Sequence, residues 1–250
     1  IIPARIQSER LPEKPLRLIL NKPMINWTFE AGLQTSADIV QVATDSKKIY
    51  DLFSKDNAVM TSTSHLSGTD RVNEAVSKIG LNDHDLIINV QGDEPFINPK
   101  HIDIAINKMI EAKKILIANN NVKCSTLHYK ITKEEELDNT SIGKLVLDCN
   151  DNIMYCSRNC IPANKSKVRD LTKCNYYAHI GLFVFDVDYL KNGFYEKPNT
   201  PLQLEEDIEW LKLMEQGNRI ISSCVEDYEI GVNLPEDYEY LLDKYNLTKN

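Results

Sequence analysis

Glycine is scarce in this sequence of 250 residues, which contains only nine glycines, about half of their usual proportion in proteins. Neither the GxxxxGK[ST] pattern nor the GxGxxG pattern occurs, so the P-loop and the dinucleotide-binding fingerprint are excluded. If the chain binds phosphate, side-chain cations and a metal ion must hold it instead of a glycine-rich loop.

Long apolar runs and paired cysteine motifs are also missing. No apolar run approaches the roughly 18 residues that span a bilayer, so no membrane partner is expected. The six cysteines form no CxxC pair, and we expect them to be reduced and buried, as is usual for a cytoplasmic protein. The net charge of −8 argues against nucleic acid as the main partner.

What the sequence does contain is an alternation of strand-like and helix-like patterns in its first half. Residues 1–4, 38–43 and 86–90 are rich in strand formers, and the last of these runs is almost continuously apolar, as in a buried central strand. Helical patterns follow Pro23 and cover residues 70–79, where Gly80 is a stop signal. The alternation predicts an α/β fold with a doubly wound, mostly parallel but mixed sheet.

Residues from about 115 to 190 have a different pattern. Short apolar runs at 115–118, 144–147 and 181–185 are separated by polar connections with few helical patterns between them. We therefore expect a single domain over residues 1–250 that carries a small antiparallel insertion over about 115–190. A helix is predicted over 204–216, before Gly217, and a last helix near residues 233–237.

The first of three polar clusters at predicted strand ends, where open α/β sheets bind ligands, follows residues 1–4. This loop carries phosphate-binding side chains, namely Arg5, Ser8, Arg10 and Lys14. Arginine offers a planar fork for phosphate oxygens and lysine a compact positive charge. The alternative is a solvated loop in which Glu9 and Glu13 pair with these cations.

The second cluster, Gln91-Gly92-Asp93-Glu94-Pro95, directly follows the buried strand at 86–90. A carboxylate in this position can hold Mg²⁺ while substrate phosphates complete the coordination shell. The alternative is a turn stabilised by an Asx-type hydrogen bond.

The third cluster precedes the helix at 70–79 and contains Ser67, Gly68 and Arg71. A turn of this kind can offer backbone donors to an anion or to the edge of a base. The alternative is simple capping of the helix by Thr69. Within the insertion, Arg158, Lys165 and His179 form a weaker set, and taken alone each of them is better explained as a surface charge. Cations together with a metal-binding carboxylate, but without a P-loop, suggest nucleotidyl transfer, which needs mainly positioning and charge neutralisation at phosphorus.

The order of these motifs resembles that of the CMP-Kdo synthetases (3-deoxy-manno-octulosonate cytidylyltransferases) along essentially the whole chain. The matching segments are Pro3-Ala4-Arg5, Arg10-Leu11-Pro12, Lys14-Pro15-Leu16, Val42-Ala43-Thr44-Asp45, His65 with residues 67–71, residues 89–95, Tyr155 with Ser157-Arg158, His179-Ile180-Gly181, Thr200-Pro201-Leu202, and Gly231-Val232 with Pro235-Glu236-Asp237.

The resemblance implies a nucleotide-diphospho-sugar transferase fold and a homodimer formed through the insertion. It also implies CTP, Mg²⁺ and Kdo or a Kdo-like 2-keto sugar acid, whose anomeric hydroxyl attacks the α-phosphorus of CTP on the way to lipopolysaccharide or capsule. By motif, Arg10 and Lys14 match catalytic cations at the triphosphate, and Asp93 matches a catalytic magnesium ligand. The nucleoside would contact Pro3, Ala4, Arg5, Ser67, Gly68 and Arg71, and the sugar acid would contact Gln91, Arg158, Lys165, His179 and Gln203.

Three departures from the family pattern concern the metal and the sugar. Asn233 stands where the family has a second metal-binding aspartate, and its amide either still offers one oxygen to the metal or caps the last helix. Lys165 replaces an arginine, and Gln203 replaces a glutamate. These changes suggest that CTP binding is retained with a modified sugar acid, for instance an 8-amino relative of Kdo. The alternatives are a nucleotide-binding paralogue with weak or no catalysis and a cytidylyltransferase for a sialic-like acid.

Overall fold

The computed structural model describes residues 1–8, 10–65, 67–114, 121–166, 168–229 and 231–245. In chain order, its strands are β1 (Ile2–Ala4), β2 (Leu18–Ile19), β3 (Lys22–Pro23), β4 (Val42–Thr44), β5 (Ala58–Met60), β6 (Leu86–Val90), β7 (Val122–Lys130), β8 (Lys144–Leu147), β9 (Ile153–Ser157), β10 (Tyr177–Asp186) and β11 (Arg219–Cys224). Its α-helices are α1 (Met24–Gly32), α2 (Lys47–Tyr50), α3 (Gly68–Ile79), α4 (Pro99–Lys114), α5 (Glu134–Asp138), α6 (Pro201–Glu206), α7 (Leu211–Glu215) and α8 (Pro235–Lys244).

The chain is divided into two compact units. The first unit comprises Ile1–Asn82, Ile87–Asp103 and Tyr228–Asn250, and the second comprises Asp83–Leu86 and Ile104–Asp227. The expected boundary near residue 115 and the apolar run at 115–118 lie outside the described residues. The assignment of about 115–190 as a sugar-binding and dimerising insertion in a single domain remains a prediction.

The first unit is organised around the parallel strands β1, β4 and β5, with β4 in the middle. Every residue of β1 and β4 is buried, which is expected of parallel strands that are covered on both faces. An apolar cluster that includes Leu11, Met24, Val232 and Leu241 joins the loop after β1 to α1 and to the C-terminal segment. This cluster therefore supports two of the chain segments that carry candidate site residues.

The second unit contains a sheet with the strand order β11-β7-β10-β8-β9. β10 is antiparallel to both β7 and β8, β8 is antiparallel to β9, and β11 is parallel to β7. The predicted apolar runs at 144–147 and 181–185 correspond to β8 and to the middle of β10. With the parallel strands of the first unit, this arrangement confirms the predicted α/β class with a mixed sheet.

The prediction of one helix over 204–216 is wrong. α6 ends at Glu206, Asp207 adopts a left-handed conformation with φ of 50°, and α7 begins only at Leu211. Three consecutive acidic residues, 205–207, lie at the end of α6, where the helix dipole disfavours negative charge. The carboxylate of Glu215, in α7, accepts hydrogen bonds from the backbone N–H groups of Leu202 and Gln203 and so holds the two short helices together.

All six cysteines are free thiols, but they are not all buried as expected. Cys124 and Cys156 are buried, whereas Cys149 and Cys224 are exposed. Within the described residues, no helix has the length and apolar character needed to cross a bilayer.

His128 is expected to make the stability of the second unit sensitive to acid. It is buried in β7, and its Nδ1 lies 2.7 Å from Oγ of Ser222. Burial lowers the pKa of His128 from 6.5 to about 4, so in that pH interval the unfolded chain binds a proton that the folded chain does not. Its stabilising contribution is therefore present above pH 6.5 and is lost as the pH falls toward 4.

We expect this histidine to account for a loss of about 2 kcal/mol in the free energy of unfolding between pH 7 and pH 5. Denaturant unfolding of the wild type and of His128→Gln at both pH values measures this loss. The variant should lose less stability than the wild type on acidification, and equal losses in the two proteins would contradict the prediction.

Candidate active site

A cleft of about 390 Å³ in the first unit brings together the three clusters that the sequence analysis identified. Its lining residues come from β1 and the loop after it, from the start of α3 and the segment before it, from the segment after β6 and from the segment before α8. They are Pro3, Ala4, Arg5, Gln7, Ser8, Arg10, Lys14, Pro15, His65, Ser67, Gly68, Arg71, Gln91, Gly92, Asp93 and Asn233.

An ion pair between Lys14 and Asp93 lies in this cleft. Nζ of Lys14 is 2.6 Å from Oδ2 of Asp93 and donates a second hydrogen bond, of 3.0 Å, to the carbonyl oxygen of Val232. Val232 in turn donates its N–H to the carbonyl oxygen of Asp93. The two charged side chains are only 15% and 25% exposed. Lys14 therefore joins the tips of three chain segments and partly neutralises the carboxylate that the sequence analysis assigned to magnesium.

The geometry contradicts the Asx-turn alternative for the second cluster and the pairing of Glu13 with the cations of its own loop. Glu13 pairs with Lys48 at 2.8 Å instead of neutralising the cations of its own loop, and Glu9 lies outside the described residues. The side chain of Asp93 bonds to Lys14, whereas an Asx turn would require a bond to its own turn. Arg5 and Arg10 both line the cleft and are exposed.

Close packing at the end of β6 determines where Asp93 lies. A Cβ atom at Gly92 would be 2.8 Å from the carbonyl oxygen of Pro3, and one at Gly231 would be 2.8 Å from Oε1 of Glu94. At position 92 only glycine fits, since the close atom belongs to the backbone, whereas a side chain at position 231 would require the Glu94 carboxyl group to shift. The segment that follows β6 therefore lies directly against β1 and against the segment before α8.

Glu94 lies beneath the cleft and not in its lining. The carboxyl group is buried and accepts hydrogen bonds from the Tyr228 hydroxyl at 2.8 and 3.0 Å. Burial, together with the negative charge of Asp93, raises the pKa of Glu94 to about 8, so this carboxyl group is mostly neutral at pH 7. Of the two adjacent acids, Asp93 is therefore the one that presents a negative charge to the cleft.

At the start of α3, Ser67 is the N-cap residue, and the alternative that Thr69 caps the helix is wrong. Oγ of Ser67 accepts the N–H of Asp70, and the Asp70 carboxylate accepts the N–H of Ser67, which forms a capping box. Ser67 lies two residues before Thr69, because the helix begins at Gly68. The Gly68 backbone lies beside Gln91, since a Cβ atom there would be 3.4 Å from its Oε1.

Arg71 lines the cleft, but its guanidinium group is buried and already paired. It donates hydrogen bonds of 2.7 Å to the carboxylate of Asp45, at the end of β4, and of 2.5 Å to the hydroxyl of Thr61. The side chain is 3% exposed, so Arg71 mainly fixes α3 against the parallel strands.

His65 and Glu74 form a pair at the edge of the cleft that the sequence analysis did not identify. Nε2 of His65 contacts the Glu74 carboxylate, which also bonds to Lys78 and to the N–H of Ser62. Although burial favours the neutral acid, these donors lower the pKa of Glu74 to about 2. The four-residue spacing of Asp70, Glu74 and Lys78 places these side chains on one face of α3. This spacing was the signal in the sequence for the contact between Glu74 and Lys78.

Asn233 does not cap the last helix, so this alternative is wrong. Leu234 occupies the N-cap position, and the carboxylate of Asp237 accepts the N–H groups of both Asn233 and Leu234 at 2.8 Å. Asn233 instead lines the cleft that also contains Asp93.

In the second unit, Arg158 is held by several groups at the end of β9. Its guanidinium group donates to the carbonyl oxygens of Ser141, Glu206 and Asp207 at 2.9, 3.2 and 2.7 Å. These three bonds use one N–H donor on each of the three nitrogens, and a guanidinium group has five N–H donors in total. Arg158 therefore has a fixed orientation and two N–H groups beyond these bonds.

Gln91 lines the cleft of the first unit. The remaining three predicted sugar-binding residues lie in the second unit, like Arg158, but their surroundings differ. His179 packs between Phe183 and Trp210 and lies 3.0 Å from the Thr126 hydroxyl, and burial lowers its pKa to about 3. Lys165 is exposed in a loop. Gln203 caps the start of α6 by accepting the N–H of Thr200. Because the four residues belong to the second unit, the cleft of the first unit does not contain them.

Comparisons with known proteins agree with the chemistry of the cleft. The family model described as "Cytidylyltransferase" matches residues 1–220. A 3-deoxy-manno-octulosonate cytidylyltransferase of Protochlamydia amoebophila is 41% identical over 95% of this chain and 90% of its own length. The protein of that name from Francisella tularensis is 36% identical over 99% and 98%.

Solved structures give the same result. The structure of a CMP:2-keto-3-deoxy-manno-octonic acid synthetase complexed with CTP is 32% identical, covers 98% of this chain and 96% of its own, and has a TM-score of 0.86. A putative glucose-1-phosphate thymidylyltransferase from Bacillus anthracis, with 13% identity and a TM-score of 0.67, shares the fold. The chain therefore belongs to the cytidylyltransferase family and, within it, to the 3-deoxy-manno-octulosonate cytidylyltransferases.

Proposed function

We propose that this enzyme transfers the cytidylyl group of CTP to Kdo, for lipopolysaccharide or capsule synthesis. The anomeric hydroxyl of the sugar acid attacks the α-phosphorus of CTP, a new phosphorus–oxygen bond forms, and the bond to the β-phosphate breaks to release pyrophosphate. The observation that carries the proposal is the Lys14–Asp93 pair in a cleft that Arg10 also lines. This combination supplies the charge neutralisation that phosphoryl chemistry requires.

The cleft residues divide into two groups in this proposal. Lys14 and Arg10 contact the triphosphate, where their charges stabilise the negative charge that moves onto the leaving pyrophosphate. The nucleoside contacts Pro3, Ala4, Arg5, Ser67, Gly68 and Arg71. Since Arg71 already binds Asp45 and Thr61, its contribution is to hold the start of α3 in place for the nucleoside.

The residues of the cleft fit a magnesium ion held largely by substrate. Among the described residues, no group of three or more His, Cys, Asp or Glu side chains is arranged to hold a metal. Mg²⁺ is often bound by one or two carboxylates together with substrate phosphates, and Asp93, with the amide oxygen of Asn233, supplies such a partial set. When bound, the ion would add positive charge at the phosphates.

The sugar acid is assigned to Gln91, Arg158, Lys165, His179 and Gln203. Arg158 supports this because its fixed guanidinium group has N–H groups left to bind a carboxylate. The low pKa of His179 makes it a neutral hydrogen-bonding partner for hydroxyl groups. Lys165 and Gln203, which depart from the family pattern, favour a modified sugar acid, such as an 8-amino relative of Kdo, as the second candidate substrate.

Three further assignments stay predictions. They are the homodimer, the cytoplasmic location and the use of Mg²⁺. A nucleotide-binding paralogue with weak catalysis is the alternative function, and Asn233 in the cleft is the observation that favours it.

Pyrophosphate release tests the function directly. With CTP and Mg²⁺, we expect turnover with Kdo or 8-amino-Kdo and much less with N-acetylneuraminate. Folded protein that binds CTP in calorimetry and releases no pyrophosphate with any of these acids would refute catalysis and favour the paralogue.

Replacing the charged pair should abolish most of the activity. Lys14→Met and Asp93→Asn are each expected to lower kcat by about 10²–10³-fold, because each removes a charge at the reacting phosphates. Lys48→Met is the matched control, since Lys48 is an exposed lysine that pairs with Glu13 at the surface. A wild-type rate for Asp93→Asn would contradict the role given to Asp93.

Asn233→Asp should change the response to magnesium. A second carboxylate beside Asp93 is expected to lower the Mg²⁺ concentration needed for half-maximal rate by about tenfold. Asn107→Asp, on an exposed position of α4, makes the same charge change outside the cleft and should leave this concentration unaltered. An unchanged magnesium response in Asn233→Asp would remove Asn233 from the proposed metal site.

A further inference from the structure

Lys144, in β8, is a fully buried lysine that the proposed mechanism does not use. Its side chain is 0% exposed, and Nζ donates to the carbonyl oxygens of Asn139, Ile142 and Arg158 at 2.6, 3.0 and 2.7 Å. An ammonium group has three N–H donors, so each donor has a carbonyl partner. The bonds join the turn before β8 to the end of β9.

A buried ammonium group is costly unless its hydrogen bonds compensate for the lost hydration. Burial lowers the pKa of Lys144, because desolvation disfavours the charged form of the amine. A neutral apolar residue would fill the same space on a sheet, but it could not bind three carbonyl oxygens at once. The presence of a lysine at this position therefore depends on the role of the backbone segments to which those three carbonyl groups belong.

The carbonyl groups belong to the backbone that orients Arg158. The Arg158 carbonyl oxygen binds the ammonium group of Lys144, and its N–H donates to the Glu206 carboxylate at 2.8 Å. A positive and a negative side chain thus hold the two peptide groups that flank this residue. The Arg158 guanidinium group also bonds to Ser141, within the turn that Lys144 holds through Asn139 and Ile142.

We propose that Lys144 is a positioning residue that determines where the Arg158 guanidinium group lies, and thereby how tightly the enzyme binds the carboxylate of its sugar acid. Lys144 does not touch the substrate. Without its ammonium group, each of the three carbonyl oxygens loses a hydrogen bond, the turn at 139–142 loses its link to the end of β9, and Arg158 loses its fixed orientation. This inference rests on the proposed function, in which Arg158 binds the sugar acid.

A double-mutant cycle on Lys144 and Arg158 tests the inference through the KM values for Kdo and CTP. Lys144→Met should raise the KM for Kdo about tenfold and leave the KM for CTP within about twofold. Arg158→Met should raise the KM for Kdo about a hundredfold. In the Arg158→Met background, Lys144→Met should have almost no further effect, because it acts only through Arg158.

Leu190→Ala is the control for simple loss of stability. Leu190 is a fully buried core residue of the same unit, and its truncation should destabilise the protein without removing a polar contact of the turn. Its effect on the KM for Kdo should be small and the same in both backgrounds. Lys144→Gln, which keeps two N–H donors, should have an effect between those of wild type and Lys144→Met.

The outcomes separate the inference from the proposed function. An inactive wild type, or an Arg158→Met variant with an unchanged KM for Kdo, refutes the proposed function or the role of Arg158, and the inference with it. If Arg158→Met behaves as expected but the effects of Lys144→Met and Arg158→Met are multiplicative, only the inference is overturned. Failure of both Lys144 variants to fold would also overturn it, because the ammonium group would then serve the stability of the whole unit.

Discussion

The contact between Lys14 and Asp93 is the interaction on which the candidate active site depends. The two residues are 79 positions apart in the chain, and their pairing brings the loop after β1 to the end of β6, while the Val232 carbonyl group adds the segment before α8. Two glycines assist this convergence, because a side chain at position 92 would meet the Pro3 carbonyl oxygen and one at position 231 would meet the Glu94 carboxyl group. The neighbouring Glu94 avoids a second buried negative charge by remaining mostly neutral and bonding to Tyr228.

The positive charges of the cleft differ in how far they are already paired within the protein. Arg71 is buried against Asp45, and Lys14 is shared between Asp93 and a carbonyl oxygen, whereas Arg5 and Arg10 are exposed in the cleft lining. A protein with a net charge of −8 thus places four cations around one cavity. That local concentration of positive charge favours the approach of a polyanionic nucleotide even though the whole molecule is acidic.

The second unit uses buried or half-buried charges mainly to hold backbone in place. Glu206 accepts hydrogen bonds from Tyr155, Ser157 and the N–H of Arg158, and Glu215 accepts two N–H groups at the start of α6. Lys144 does the same for carbonyl groups. Hydrogen bonds to ionised groups are stronger than neutral ones, so they can order short helices and turns that lack a large apolar face.

The sequence by itself determined the α/β class and most residues of the cleft. Strand patterns placed the clusters at strand ends, where side chains from distant segments meet, and the ordered motifs identified the family. Two local details were predicted wrongly: Ser67 rather than Thr69 caps α3 through its reciprocal bonds with Asp70, and the acidic run at 205–207 ends a helix that periodicity continued. Only the tertiary structure showed that Glu94 is buried and mostly neutral and that Arg71 is already paired. It also showed that Lys144 joins the turn at 139–142 to the carbonyl oxygen of Arg158. Whether a side chain is buried, and which group it pairs with, depends on residues far apart in the chain. A pattern of neighbouring residues therefore does not predict these two properties.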